Sequence, residues 1–126
     1  MGRKKVLLVD DSETALVLER MLLKSQPYDL ITARSGLEAL TKADTEKPDL
    51  ILMDVMMPQM GGFDTCLKLR SKDSTKHIPV IFVTTHGEKE FRDKGQQMGC
   101  SDYVTKPING PELVAKINRL LGSRPS

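Results

Sequence analysis

The chain has 126 residues, room for one domain and not for two. Apolar residues make up 39% and charged residues 29%, which excludes a disordered or fibrous chain. Nineteen basic against seventeen acidic residues leave +2, too weak a bias to draw in nucleic acid or an anionic membrane, and with no Trp few rings are left for base stacking. The basic start, Arg3-Lys4-Lys5, precedes only Val6–Val9 before Asp10, too short an apolar run for a signal peptide. Gly2 does not make a myristoylation signal, because Val6 stands where Ser or Thr is required. A cytoplasmic protein without membrane insertion is expected.

Val6–Val9 reads as the first strand, and Asp10 and Asp11 follow it directly. Ser12 is then a helix N-cap, with Ala15, Leu18 and Leu22 as the inward stripe of a helix reaching about Ser25. Leu16, Val17 and Met21 fall to its sides. Leu30–Ala33 is the second strand. Ser35-Gly36-Leu37-Glu38 opens a second helix on Leu37, Leu40 and Ala43, stopped by Pro48. Leu50–Met53 is the third strand and ends at Asp54. A third helix, about Phe63 to Lys72, uses Phe63, Cys66 and Leu67. Val80–Val83 is the fourth strand, followed by Thr84 and Thr85. A fourth helix is expected from about Glu88 to Met98, where Gly95 costs about 1 kcal/mol against Ala. Asp102–Val104 is the last strand, closed by Lys106. Gly110-Pro111 starts the last helix, on Leu113, Ile117 and Leu120, with core residues about 5–121 and a tail over 122–126.

Five strands alternating with five helices make an α/β domain around a parallel sheet. Nearly continuous Val, Ile and Leu in the first, third and fourth strands fit a sheet covered by helices on both faces. Cys66 and Cys100 form neither a CxxC pair nor a Cys/His cluster, and two reduced thiols are expected.

In such a sheet all strand C-termini share one edge, where open α/β sheets bind ligands. Asp10, Asp11, Asp54, Thr84 and Lys106 each follow a strand and so converge on that edge. Taken singly they are ordinary: an acidic pair caps helices, a Thr packs, a Lys meets solvent. Asp54 is different, because it ends a run as apolar as Leu50-Ile51-Leu52-Met53 and a buried acid needs a partner. Three clustered carboxylates either rise in pKa or share a cation. With hard oxygens and no His or Cys among them, they suit Mg²⁺ or Mn²⁺. A lysine and a hydroxyl beside them would receive a phosphoryl group. The set reads as one that makes an aspartyl phosphate.

The motifs Val-Asp-Asp-Ser at 9–12, Met53-Asp54-Val55-Met56-Met57-Pro58, Val83-Thr84-Thr85 and Tyr103-Val104-Thr105-Lys106-Pro107 resemble those of the response-regulator receiver domains of bacterial two-component signalling, the CheY-like family. The likeness runs from Lys5 to about Leu121. It implies a doubly wound five-stranded sheet in the order 2-1-3-4-5 and a cis Lys106–Pro107 peptide. It also implies that Asp54 is phosphorylated, and that Asp11, Asp54 and the Met56 carbonyl hold Mg²⁺ (Mn²⁺ substituting) with Asp10 assisting. Lys106 would pair with the phosphoryl group, Thr84 would swing toward it, and Tyr103 would turn inward. The implied donor is a histidine kinase or histidine phosphotransfer protein. A downstream protein would bind the face formed by the fourth helix, last strand and last helix.

Gly61 stands where this family often has Asp, and Thr85 replaces a frequently smaller residue. Met56 and His86 would line the path of the hydrolysing water, and Met56 offers it no side-chain hydrogen bond, so slow self-dephosphorylation is expected. Two rivals weaken on the residues. A pseudo-receiver, binding protein without phosphate, usually lacks the acids, Thr or Lys, and none is missing here. A hydrolase of the aspartyl-phosphate type would carry a second Asp where Met56 stands. Neither nucleotide-binding glycine fingerprint follows any strand.

Overall fold

Strand runs without polar interruption and helices with one apolar side leave a single solution, a sheet sandwiched between helix layers. The computed structural model describes residues 3–85, 99 and 101–122. Its elements are β1 (Lys4–Val9), α1 (Glu13–Leu23), β2 (Tyr28–Ala33), α2 (Gly36–Glu46), β3 (Leu50–Asp54), α3 (Gly62–Arg70), β4 (Val80–Thr84), β5 (Asp102–Thr105) and α4 (Gly110–Gly122). The strands are all parallel, in the order β2-β1-β3-β4-β5, as expected. The helix expected from Glu88 to Met98 lies outside the described residues, as do His86, Cys100 and 123–126.

Alternation along each strand divides the core in two. Val6, Leu8, Leu50, Leu52, Ile81, Val83 and Val104 face α1 and α4, packing on Leu16, Leu23, Leu113 and Ile117. Leu7, Val9, Ile51, Met53, Val80 and Phe82 face α2 and α3, packing on Ala39, Ala43, Cys66 and Leu69. The ring of Phe63 meets Phe82 edge-on at 5.1 Å. No helix among the described residues is long and apolar enough to cross a membrane.

Four helical stripes differ from expectation. In α1 the inward residues are Leu16, Glu19 and Leu23, while Leu18 and Leu22 face outward and Ala15 is half-buried. Leucines and their apolar neighbours wrap so far round this helix that spacing alone does not set its phase. Packing of Leu16 and Leu23 on the sheet does, and the helix starts where expected, with Ser12 Oγ accepting from the Ala15 N–H at 3.2 Å. In α2 the buried side is Gly36, Ala39 and Ala43, and Leu37 is exposed. A Cβ on Gly36 would stand 2.4 Å from Thr65 Oγ1, so α2 approaches α3 too closely for anything but small residues. In α3, Thr65, Cys66 and Leu69 are inward, Phe63 is half-buried and Leu67 is exposed. In α4, Leu121 takes the buried place expected of Leu120, which packs at the margin.

Arg70 joins the loops at the far side of α3. Its guanidinium donates to the carbonyls of Gly99 (2.7 and 3.0 Å), Ile78 (2.6 Å) and Lys76 (3.1 Å). The turn it grips needs glycine, because Gly99 has φ +89°. The Lys106–Pro107 peptide is cis.

Candidate functional site

The C-terminal edge of the sheet brings the expected residues together. Asp10 leaves β1 with its N–H bonded to the Ala33 carbonyl at 3.1 Å, and Asp54 ends β3 between β1 and β4. Thr84 ends β4, and its carbonyl accepts from the Lys106 N–H at 2.8 Å, which fixes the start of the lysine loop. Carboxylate oxygens of Asp10, Asp11 and Asp54 all lie within 4.8 Å of one another. Lys106 Nζ stands 3.6 Å from Asp10 Oδ2 and 3.7 Å from Asp54 Oδ1.

Burial makes this arrangement tense. Asp10 is 1% exposed and Asp54 6%, while Asp11 is at the surface. Asp10 Oδ1 accepts from the Ser12 N–H at 2.9 Å, so this acid also shapes the entry to α1. Its other oxygen, Oδ2, has no hydrogen-bond donor. Burial, and then repulsion from Asp10, pushes Asp54 up to about 6; Lys106 and the Met56 N–H pull it back, and Asp11 opposes them. Among the described residues, the pocket gathers more negative charge than Lys106 offsets.

That imbalance suits a hard divalent cation. The donors are all oxygens, they are mutually close, and a buried carboxylate oxygen among them accepts no hydrogen bond. The Met56 N–H bonds the Asp54 carboxylate, which brings the Met56 backbone next to this set of oxygens. α3 is pressed against the same strand end: a Cβ on Gly62 would stand 2.4 Å from the Asp54 carbonyl, so glycine there keeps the loop after β3 close.

Thr84 is buried at the edge. Tyr103 is half-buried, packed against the apolar layer that contains Phe82. Lys116 Nζ lies 5.0 Å from its ring centre and donates to its carbonyl at 2.7 Å. Asp10, Asp11, Asp54, Thr84 and Lys106 therefore lie at one edge, while Tyr103 sits two residues back from the end of β5, opposite Phe82. The residue that sequence reasoning passed over is Glu19. Only the corrected phase of α1 marks it, since it falls between Leu16 and Leu23 on the inward side.

A parallel sheet with an acidic cage and a lysine at its C-terminal edge defines a class of phosphate-handling α/β domains. Residues 6–118 match the family model described as "Response regulator receiver domain", and the chain belongs to that family. It is a signalling domain of two-component systems. It is 40% identical over 119 residues to the polar-differentiation response regulator DivK of Brucella anthropi, covering 94% of this chain and 97% of that protein. It is 41% identical over 118 residues to the alkaline phosphatase synthesis transcriptional regulatory protein PhoP of Bacillus subtilis, covering 94% of this chain. That match spans 48% of PhoP, so the chain corresponds to about half of that relative. Among solved structures, CheY4 of Vibrio cholerae superposes with a TM-score of 0.90 at 33% identity, over 95% of this chain and all of that one. The receiver domain of the sensor histidine kinase PA1611 of Pseudomonas aeruginosa, solved with magnesium coordinated in its active-site cleft, has a TM-score of 0.87 at 27% identity over 97% of this chain and 99% of that one.

Proposed function

We propose that this domain is a phosphorylation-dependent switch in which Asp54 takes a phosphoryl group from a phosphohistidine donor. The observation that carries the reading is the convergence of Asp10, Asp11 and Asp54 with Lys106 Nζ within 3.7 Å of two of them. Asp54 supplies the attacking oxygen. As its O–P bond forms, the P–N bond to the donor's imidazole breaks, and the imidazole takes up a proton. Asp11, Asp54 and the Met56 carbonyl would hold Mg²⁺ or Mn²⁺, with Asp10 beside them, and the ion would add positive charge where the phosphoryl oxygens gather. Lys106 offsets charge on the same oxygens.

After transfer, Thr84 and Lys106 are the hydroxyl and ammonium donors available to the new group. Bonds from both favour a second arrangement of β4 and the lysine loop, and Tyr103 carries the change outward. β5 and α4 supply the described part of the face that a downstream protein would read. The domain catalyses its own phosphorylation and slow dephosphorylation and no other reaction. Presence of the acids, Thr84 and Lys106 in one pocket favours this reading over a phosphate-independent binding module.

The donor would dock on α1, which starts at the pocket. Its outward side exposes Val17, Leu18, Met21 and Leu22, and Leu22 reaches toward Gly110 at the start of α4. Leu16, expected beside them, is in the core. Apolar groups at helical spacing fit the helices of a phosphotransfer protein.

Incubation with acetyl phosphate and Mg²⁺, followed by intact-mass measurement, tests the reading. One phosphoryl adduct on wild type and none on Asp54→Asn is the expected result; no adduct on either would leave only the binding module. Val17→Ser with Leu18→Ser should slow transfer from a phosphohistidine donor while uptake from acetyl phosphate stays as in wild type.

A further inference from the structure

Glu19 is a carboxyl group in an apolar layer. It is 2% exposed, it lies between Leu16 and Leu23 on the inward stripe of α1, and its Oε1 has no hydrogen-bond partner. Among the described residues, the one other buried side-chain oxygen in that condition is Asp10 Oδ2, in the acidic pocket. A bare charge in such a place is costly unless something offsets it.

The groups acting on Glu19 come from several elements. Asp10 at the end of β1 and Asp54 at the end of β3 repel its charge, and Lys106 after β5 attracts it. From β2, Tyr28 donates to Asn118 and Asp29 pairs with Arg3. From α4, Lys116 pairs with Asp102 and Glu112, and Arg119 pairs with Asp102. The partner-bound groups of β2 and α4 are thus engaged elsewhere, and the pocket supplies the field that Glu19 feels.

We propose that Glu19 is a proton store for the acidic pocket: its carboxyl carries a proton while the pocket lacks a divalent cation and releases it to bulk water when one enters. The inference rests on the reading of that pocket as a cation site. In chemical terms, neutral Glu19 and the incoming ion become the Glu19 carboxylate, the bound ion and one free proton. Burial first and Asp10 second push Glu19 up to about 8, so it is about nine-tenths protonated at pH 7. A doubly charged ion among Asp10, Asp11 and Asp54 reverses the sign of the nearest field, which favours the ionised form of Glu19.

Calorimetric titration with Mg²⁺ alone, in two buffers of different ionisation enthalpy, counts the protons released per ion. Wild type should release more than half a proton at pH 7 and almost none at pH 9, where Glu19 is already ionised. Glu19→Gln, which keeps the size and removes the charge, should bind Mg²⁺ and release several-fold fewer protons than wild type at pH 7. Binding without proton release by wild type at pH 7, or with equal release by both proteins, overturns the proton store. Absence of any Mg²⁺ binding to wild type overturns the cation site itself. A second readout needs no metal: metal-free wild type should lose stability from pH 5 to pH 8 more steeply than Glu19→Gln, and parallel slopes overturn the inference.

Discussion

Asp54→Asn is expected to abolish phosphoryl uptake and yet give a more stable protein. The wild-type carboxyl is buried against Asp10 and titrates near 6 in the fold, above the ordinary carboxylate range near 4 in the unfolded chain. The folded state therefore binds the proton more tightly, and stability falls as pH rises from about 4 through 6, then levels off. Asparagine removes that loss while keeping an oxygen to accept from the Met56 N–H. The gain should be on the order of 2 kcal/mol above pH 6, about 5–8 °C in Tm, and should vanish below pH 4. Saturating Mg²⁺ should narrow the gap, because it binds the folded wild type and stabilises it by mass action. Thermal melts of both proteins at pH 4 and pH 7.5, with and without Mg²⁺, check each part.

Lys106→Met acts in the opposite direction on stability. It leaves Asp10 and Asp54, both nearly buried, without the ammonium that stands 3.6 and 3.7 Å from them. The lysine is about one-third exposed, so solvent already screens part of its effect. A loss of ~1–2 kcal/mol at pH 7 is expected, shrinking toward pH 4 as the carboxylates take up protons. Phosphoryl uptake should fall about 10²–10³-fold, the size expected when one preorganised positive donor is removed from a transition state. Stopped-flow or intact-mass time courses with acetyl phosphate measure the second effect and urea titration the first.

The two variants separate what the pocket does for chemistry from what it does for folding. Asp54 is expected to weaken the fold and to be required for transfer, and Lys106 to serve both. Such opposition is expected where charge is gathered for a reaction in place of packing.

Much of this was legible in the sequence, for identifiable reasons. Leu50–Met53 and Val80–Val83 are buried on both sides, which writes unbroken apolar runs and fixes the strands. Because parallel strands end on one edge, Asp10, Asp54, Thr84 and Lys106 could be placed along it from the sequence, and strand order then decides that they meet. The strand order came from family resemblance, and the structure bears it out.

Helix phase was harder. α1 is apolar round much of its circumference, so spacing put Leu18 and Leu22 inward and Leu16 at the side even with Ser12 read as the N-cap, and only packing on the sheet shows the rotation. In α2, the contact is made by Gly36 and two alanines, whose small size is the point and whose hydrophobic signal is weak beside that of Leu37. Glu19 escaped for a related reason. A glutamate in an amphipathic helix reads as solvent-facing unless the phase is known. Its burial emerges only once Leu16 and Leu23 are seen to flank it.

A crystal structure with Mg²⁺ and beryllofluoride tests the central claim most directly. Beryllofluoride should be bonded to Asp54, the ion held by Asp11, Asp54 and the Met56 carbonyl, and the Thr84 hydroxyl and Lys106 amine turned to the fluorines. An empty pocket, or a Lys106 amine directed into bulk water beside an occupied one, would contradict it.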